Sequence, residues 1–220
     1  LQYFKQRGIP VLGIEPTANT AAAAREKGIP TRQQFFGVRT AGELVDEGLR
    51  ADLLLGNNVL AHVPDINDFV GGMKRALKPG GTITMEFPHL LRLIENNQFD
   101  TIYHEHFSYL SWLAVETIFA HHGITLFDVE ELWTHGGSLR IFGRHAEETG
   151  RPVTERVAAL RSAERTAGLD RVETYHAFQA KVLATKRALL RFLIDTREKG
   201  KTIAGYGAPA KGNTLLNFCG

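Results

Sequence analysis

Residues 99–111 concentrate side chains that can donate, accept or transfer protons. Tyr103, His104, Glu105 and His106 follow one another within this segment. Each polar group that folding buries must find a hydrogen-bond partner, so a cluster of this kind contributes little to stability. A site that moves protons, by contrast, needs such groups close together and held in place. The segment therefore predicts proton-transfer chemistry.

A metal site is an alternative interpretation of the same residues. His104 and His106 flank Glu105, and imidazole nitrogens are common metal ligands. Two histidines without a clear third ligand are weak evidence for such a site. The single cysteine, Cys219, excludes an internal disulfide and a multi-cysteine zinc site within this chain. We therefore predict that this chain binds no metal.

The composition is that of an ordinary globular protein. The chain has 220 residues, with 43% hydrophobic and 23% charged residues. A net charge of +2 gives no electrostatic reason to expect nucleic acid or an anionic membrane as a partner. No apolar run is long enough to span a bilayer, and no secretory signal is visible. We expect a cytoplasmic location.

Short apolar runs alternate with helical patterns through the first part of the chain. The predicted strands cover residues 10–15, 31–36, 51–56 and 82–87, and the predicted helices cover residues 17–27, 40–48 and 65–77. Asp65 is a plausible N-cap for the last of these helices. Alternation of this kind is typical of right-handed βαβ crossovers, which build a parallel sheet with helices on both faces.

The second half of the chain changes character. A helix is predicted over residues 112–121, and strands over 124–133 and 138–144 form a hairpin that adds an antiparallel pair to the edge of the sheet. A polar stretch with Gly150 and Pro152 follows. A long helical region over 155–199 breaks near Gly168, and its apolar stripe is predicted to pack into a core. A last strand is predicted over 202–206, before a glycine-rich turn.

Residues 77–81, Leu-Lys-Pro-Gly-Gly ahead of an apolar strand, resemble a junction in class I S-adenosylmethionine-dependent methyltransferases. The resemblance implies that Glu15, at the end of its strand, holds the ribose hydroxyls of the cofactor. It also implies that Asn58 and Val59 line the methionine and sulfonium end. Ligands of open parallel sheets bind beyond the carboxyl ends of the strands, where these residues are expected.

Four motifs occur in an order that narrows the resemblance. They cover residues 57–65, 103–109, 135–140 and 205–213. Together they resemble the nucleotide-sugar C-methyltransferases of antibiotic deoxysugar pathways. The resemblance implies a small-molecule nucleotide sugar as the substrate. The oligomeric state stays open.

The resemblance also implies a domain organisation. Residues 1–145 would form a Rossmann-like class I methyltransferase domain, an α/β fold with a parallel sheet and an antiparallel edge hairpin. Residues 146–154 would be a linker, and residues 155–220 would begin a second Rossmann-like domain that binds the sugar nucleotide. Family members also have an N-terminal zinc domain and a glycine-rich cofactor loop, neither of which is in this sequence. We therefore expect that the chain is a fragment.

The implied reaction methylates a carbon next to the 4-keto group of a thymidine-diphosphate deoxysugar. Such a carbon becomes a nucleophile only after a base removes its proton and an enolate forms. The resemblance makes His106 the base, and imidazole suits this task because it titrates near neutral pH. Tyr103 and Glu105 would position the base and the sugar. His62 would face the same site and hydrogen-bond the keto oxygen.

The glycine-rich turn near the end of the chain also fits a dinucleotide-binding fingerprint. The resemblance assigns it to the substrate diphosphate, through Gly205, Tyr206 and Gly207, with a charge from Lys211 and a hydrogen bond from Asn213. Two alternatives stay open at this point. The protein could be a nicotinamide-dependent oxidoreductase, or it could bind a sugar nucleotide without turning it over.

Overall fold

The computed structural model describes residues 1–207 and 210–220, and the fold below is that of these residues. Its strands are β1 (Gly13–Ile14), β2 (Thr31–Arg32), β3 (Ala51–Asn57), β4 (Leu77–Pro88), β5 (Ile124–Leu132) and β6 (Ser138–His145). Its helices are α1 (Gln2–Gln6), α2 (Ala18–Glu26), α3 (Val38–Asp46), α4 (Ile66–Ala76), α5 (Leu90–Glu95), α6 (Trp112–His121), α7 (Glu155–Thr166), α8 (Val172–Glu198) and α9 (Ala210–Cys219). The mixed α/β architecture predicted from the sequence is confirmed.

The larger sheet has the strand order β3-β4-β6-β5. β3 and β4 are parallel, with Leu54 opposite Ile83, whereas β6 runs antiparallel to both β4 and β5. The predicted antiparallel hairpin at the sheet edge is therefore confirmed. The carboxyl ends of β3 and β4 lie side by side, so the loops that follow them meet at one edge.

The smaller sheet consists of β1 and β2, which pair in parallel over two residues each. Both strands are shorter than the sequence predicts. Each has one hydrogen-bonded neighbour in the described structure, and two-stranded pairs are marginal on their own. Among the described strands, β3 pairs with β4 alone, and its Leu53 and Leu55 are exposed at 40% and 42%.

The core lies between the larger sheet and helices α4 and α6. Its largest fully buried side chains include Phe87 of β4, Ile141 of β6, and Trp112 and Phe119 of α6. The alternation of buried and less buried positions along β4 is typical of a strand with one face on the core. This core fixes the strand ends that carry the site.

Helix α4 begins as the sequence predicts. The Asp65 carboxylate accepts hydrogen bonds from the backbone nitrogens of Asn67 and Asp68, both at 3.0 Å. These amides have no acceptor inside the helix, so the cap supplies the missing partner. The cap also determines where the loop between β3 and α4 ends.

The helical region after β6 differs from the prediction in one respect. Its break at Gly168 is confirmed, since this residue has φ +80° between α7 and α8. The apolar stripe of α8, however, is not core: Val182 is buried, but Val172 and Phe192 are 60% and 62% exposed. A helix of 27 residues is about 40 Å long, and its buried contact is limited to the region of Val182. No helix in the described part of the chain is long and apolar enough to cross a membrane.

The strand predicted over residues 202–206 is wrong. Residues 201–207 have no regular secondary structure, because no described strand runs beside them to share hydrogen bonds. Of the strand and helix predicted to begin a second Rossmann-like domain, the described structure contains only helix α9. Ala208 and Pro209, which belong to the predicted glycine-rich turn, lie outside the described residues.

Candidate active site

A cavity of about 140 Å³ lies at the carboxyl ends of β3 and β4. Six of the residues singled out in the sequence line it, namely Asn58, His62, Tyr103, Glu105, His106 and Lys211. Residues 58–62 follow β3, and residues 99–111 reach the cavity by way of α5, which follows β4. The structure thus brings together the four predicted catalytic residues, one predicted cofactor residue and one predicted substrate residue.

His106 has a defined orientation in this cavity. Its Nδ1 lies 3.1 Å from the carbonyl oxygen of Thr101. A carbonyl only accepts, so Nδ1 carries the proton and donates it, and the Nε2 of the neutral ring keeps its lone pair. The geometry therefore leaves one ring nitrogen able to take a proton.

The pKa of His106 is lowered from its ordinary value of 6.5. Partial burial is the main cause, followed by the positive charge that His62 carries when protonated, and Lys211 adds a smaller effect in the same direction. The hydrogen bond to Thr101 and the Glu105 carboxylate oppose the shift. The imidazole is therefore unprotonated near neutral pH, as a general base must be.

Hydrogen bonds to residues 105–108 hold His62 beside His106. Its Nδ1 donates to the carbonyl oxygen of Glu105 at 2.8 Å, and the two imidazole centroids are 4.7 Å apart. The backbone nitrogens of Phe107 and Ser108 donate to the carbonyl of Ala61, at 2.9 and 3.2 Å. These bonds join the loop after β3 to the segment that carries His106.

Two tyrosines complete the surroundings of His106. The ring of Tyr103 is 4.7 Å from the imidazole, and that of Tyr109 is 5.6 Å from it, both measured between centroids. Tyr109 donates its hydroxyl proton to the carbonyl of Tyr103 at 3.4 Å, and burial raises the pKa of Tyr109. The hydroxyl group of Tyr109 therefore stays protonated. His104, the remaining histidine of this segment, is exposed and does not line the cavity.

His135 is a cavity residue to which the sequence assigned no role. It has φ +53°, a left-handed conformation that is uncommon outside glycine and that clusters at functional sites. Thr134 donates to the Glu86 carboxylate at 3.0 Å, and Gln98 donates to the carbonyl of Gly136 at 3.0 Å, which together hold the turn. A histidine followed by two glycines in a hairpin is the sequence signal that could have found it.

The predicted cofactor residues lie at the carboxyl ends of their strands. Glu15 follows β1, is partly buried, and accepts a hydrogen bond from the backbone nitrogen of Thr17 at 2.8 Å. Asn58 follows β3 with φ +56°, its nitrogen bonded to the carbonyl of Glu86 at 2.7 Å. Val59 packs against the core rather than lining the cavity. An oriented carboxylate that can accept from two hydroxyl groups fits a ribose, so Glu15 fits the predicted cofactor.

The predicted diphosphate residues are divided by the structure. Lys211, in the first turn of α9, lines the cavity, whereas the side chain of Asn213 is exposed and does not. Gly205, Tyr206 and Gly207 are exposed in irregular backbone outside the cavity lining, with φ +129° at Gly207. Only the lysine is thus placed beside His106.

Comparisons with known proteins find methyltransferase domains along this chain. Residues 1–129 match the family model described as a methyltransferase domain, and residues 133–220 match the C-methyltransferase C-terminal domain. The C-methyltransferase NovU of Streptomyces niveus is 38% identical over 223 residues, which cover 100% of this chain and 52% of that protein. The chain therefore spans about half the length of this relative.

Two more distant similarities cover part of the chain. A ubiquinone biosynthesis O-methyltransferase of Rhodopseudomonas palustris (strain BisA53) is 32% identical over 82 residues, covering 37% of this chain and 32% of that protein. The crystal structure of an S-adenosylmethionine-dependent methyltransferase from Mesorhizobium loti superimposes with a TM-score of 0.50 at 14% identity. That similarity covers 66% of this chain and 84% of the other and shows a common Rossmann-like fold.

Proposed function

Because the chain belongs to the methyltransferase-domain family, we propose that it methylates a carbon next to the keto group of a thymidine-diphosphate 4-keto-deoxysugar. The observation that carries the proposal is the hydrogen bond that orients the ring of His106. Its Nδ1 is committed to the carbonyl of Thr101, and its Nε2 is left to accept a proton within the cavity. A base in this state is what carbon methylation needs before methyl transfer.

The proposed reaction starts with a proton transfer to His106. Nε2 takes the proton from the carbon beside the ketone, and the electron pair of the broken C–H bond forms an enolate. His62 lines the same cavity and would hydrogen-bond the oxygen on which the negative charge develops. Since Nδ1 of His62 donates to Glu105, His62 donates to the keto oxygen through Nε2 only as an imidazolium.

S-adenosylmethionine, when bound, supplies an electrophilic methyl group for the enolate carbon. Glu15 would hold its ribose hydroxyls, and Asn58 and Val59 would lie toward its methionine end. Tyr103 and Glu105 would position the sugar against His106, which afterwards returns its proton to solvent. Orientation is the remaining requirement, because the sulfonium is already a good leaving group.

The proposal extends to the substrate nucleotide and to the domains. Lys211 would bind the diphosphate, supported by its place in the cavity, and Gly205, Tyr206, Gly207 and Asn213 would close on it. Residues 1–145 would be the methyltransferase domain, 146–154 the linker, and 155–220 the part that binds the sugar nucleotide. A cytoplasmic role in deoxysugar biosynthesis goes with this substrate.

The oxidoreductase alternative is less well supported. A dinucleotide fingerprint needs a strand immediately before its glycines, and residues 201–207 have no strand. It also leaves the resemblance of residues 77–81 to methyltransferases unexplained. The choice between an enzyme and a protein that only binds the sugar nucleotide is made by experiment.

That experiment uses the protein in its full natural length. It is incubated with S-adenosylmethionine and a thymidine-diphosphate 4-keto-6-deoxysugar in deuterated water, and the sugar is followed by mass spectrometry. We expect the mass of one methyl group to be gained, and we expect His106→Ala to lose both methylation and deuterium exchange. His121→Ala, a change at an exposed histidine of α6, is the matched control.

The possible results separate the candidate functions. Deuterium exchange without methylation would contradict the assignment of S-adenosylmethionine as the methyl donor, but it would support His106 as the base. Binding of the sugar nucleotide with neither signal would favour the protein that binds without turnover. Full activity of His106→Ala would show that another group removes the proton.

A further inference from the structure

A buried carboxylate outside the cavity contacts both ends of the segment that carries His106. Glu164 lies on α7, and neither its side chain nor that of His89 is exposed. Its Oε1 accepts a hydrogen bond from Nε2 of His89 at 2.7 Å and another from the backbone nitrogen of Trp112 at 2.6 Å. His89 immediately precedes residues 90–111, and Trp112 immediately follows them. One oxygen atom therefore joins the two ends of residues 90–111. We call these residues the catalytic segment.

The second oxygen of Glu164 fixes the helix that follows the catalytic segment. Oε2 accepts from the backbone nitrogen of Leu113 at 2.9 Å, while Oγ of Ser111 accepts from that of Ala114 at 3.2 Å. Together with Trp112, the first three amide groups of α6 all have acceptors. A negative charge at this end also suits the helix dipole. The start of α6 is thus fixed by a residue of another helix.

Backbone hydrogen bonds at His89 and Leu90 connect this buried pair to two loops of the cavity. Its backbone nitrogen donates to the carbonyl of Gly137 at 3.0 Å, and the nitrogen of Leu90 donates to the carbonyl of Leu110 at 3.0 Å. Gly137 belongs to the turn that presents His135, and Leu110 ends the stretch that presents His106. The position of His89 therefore sets the position of both cavity loops.

The Glu164–His89 pair is costly for a purely structural contact. A buried carboxylate and imidazole lose their hydration, and an apolar pair of similar volume would pack without that loss. Within the described structure, Nδ1 of His89 has no hydrogen-bond partner, which adds to the cost. Along α7, Glu164 takes the inward position that follows Val157 and Leu160, where an apolar residue is the ordinary choice. In some proteins a buried polar residue at such a position fixes the local geometry.

We infer that Glu164, acting through His89 and the α6 amides, is a positioning residue that aims Nε2 of His106 at the substrate carbon. This inference rests on the proposed function of His106. The carboxylate holds both ends of the catalytic segment at one point, so the segment cannot shift along the end of β4. A displacement of about 1 Å at a catalytic group is enough to slow a reaction about a hundredfold.

The test uses two pairs of variants in the protein at its full natural length. Glu164→Gln leaves one acceptor oxygen in place of two. Its amide NH₂ group then faces an N–H donor that the carboxylate oxygen accepted from. His89→Met keeps the volume and loses the donor, whereas His89→Gln keeps a donor near the position of Nε2. Glu116→Gln is the matched control, because Glu116 joins the same two helices through Arg161 at 2.6 Å but lies away from the ends of the segment.

Three quantities are measured on each variant. They are the rate of substrate proton exchange in deuterated water, the deuterium uptake of backbone amides in residues 99–111, and the affinity for S-adenosylhomocysteine. We expect Glu164→Gln and His89→Met to slow proton exchange about a hundredfold and to raise amide uptake. His89→Gln is expected to recover most of the rate, and Glu116→Gln to keep it. The affinity for S-adenosylhomocysteine is expected to stay the same in all four.

Several results would overturn the inference. An unchanged exchange rate in Glu164→Gln would leave the carboxylate a structural role only, and so would unchanged amide uptake. If Glu164→Gln does not fold, equal rates of proton exchange in His89→Met and His89→Gln would also overturn the inference. If the unmodified protein exchanges no substrate proton, the proposed function fails. The contrast in amide uptake between Glu164→Gln and Glu116→Gln then decides whether the carboxylate holds the segment.

Discussion

The imidazole rings of His62 and His106 lie 4.7 Å apart, with an angle of 36° between their planes. They come from two different loops, and each donates through Nδ1 to a backbone carbonyl. A positive charge on His62 therefore makes a second charge on His106 unfavourable. The pair therefore favours the unprotonated form of His106, which is the form that can accept a proton.

The pH dependence of the reaction follows from this pair. Since the pKa of His106 is lowered, its base form persists below pH 6.5, and we expect the acid limb of kcat/KM to lie below that value. His62→Gln removes the neighbouring charge and should raise the pKa of His106, moving the acid limb to higher pH. The measurement is a pH–rate profile with nuclear magnetic resonance titration of His106. Identical limbs in the two proteins would contradict the coupling.

Lys211 is expected to act on both the substrate and the base. Lys211→Gln should weaken the binding of thymidine diphosphate about 10- to 150-fold, because a hydrogen bond to a charged group contributes roughly 1.5–3 kcal/mol. It should also raise the pKa of His106 slightly, since the ammonium lowers it. Calorimetric titration measures the affinity, and Lys201→Gln, at an exposed lysine of the irregular stretch before α9, is the control. Equal affinities would place the diphosphate elsewhere.

His135 should show opposite effects on stability and on activity. His135→Gly relieves a left-handed conformation that costs an ordinary residue about 1–2 kcal/mol, so the free energy of unfolding should stay the same or rise. Removal of a ring from the cavity lining should at the same time reduce kcat/KM. His135→Asn tolerates the same backbone and keeps a polar side chain, so it should retain more activity. Urea unfolding and steady-state kinetics measure the two effects; a large loss of stability in His135→Gly would contradict the strain.

The Asp65 cap gives a prediction for stability alone. Asp65→Ala leaves two amides of α4 without their acceptor and should lower the free energy of unfolding by about 1 kcal/mol. Asp65→Asn keeps an acceptor oxygen and should cost less. Urea denaturation compares the two variants with the original protein. An equal loss in both would show that charge, rather than the hydrogen bonds, matters at this position.

The sequence by itself determined those features that depend on near neighbours along the chain. The cap at Asp65, the break at Gly168 and the β5–β6 hairpin follow from local backbone preferences and hydrogen bonds, and all three are confirmed. The dense polar run that contains His106 likewise identified where the cavity would be. These predictions held because each feature joins residues that are close together in the sequence.

Tertiary structure decided what depends on distant partners. Glu164 meets His89 across 75 positions of the chain, and no periodicity along α7 indicates which group a buried carboxylate will contact. The exposed Phe192 and the missing strand over 202–206 have the same origin, because an apolar stripe or a strand pattern needs a neighbour to pack against or to pair with. The tautomer of His106 was also decided in three dimensions, since it depends on the carbonyl of Thr101 and on the burial of the ring.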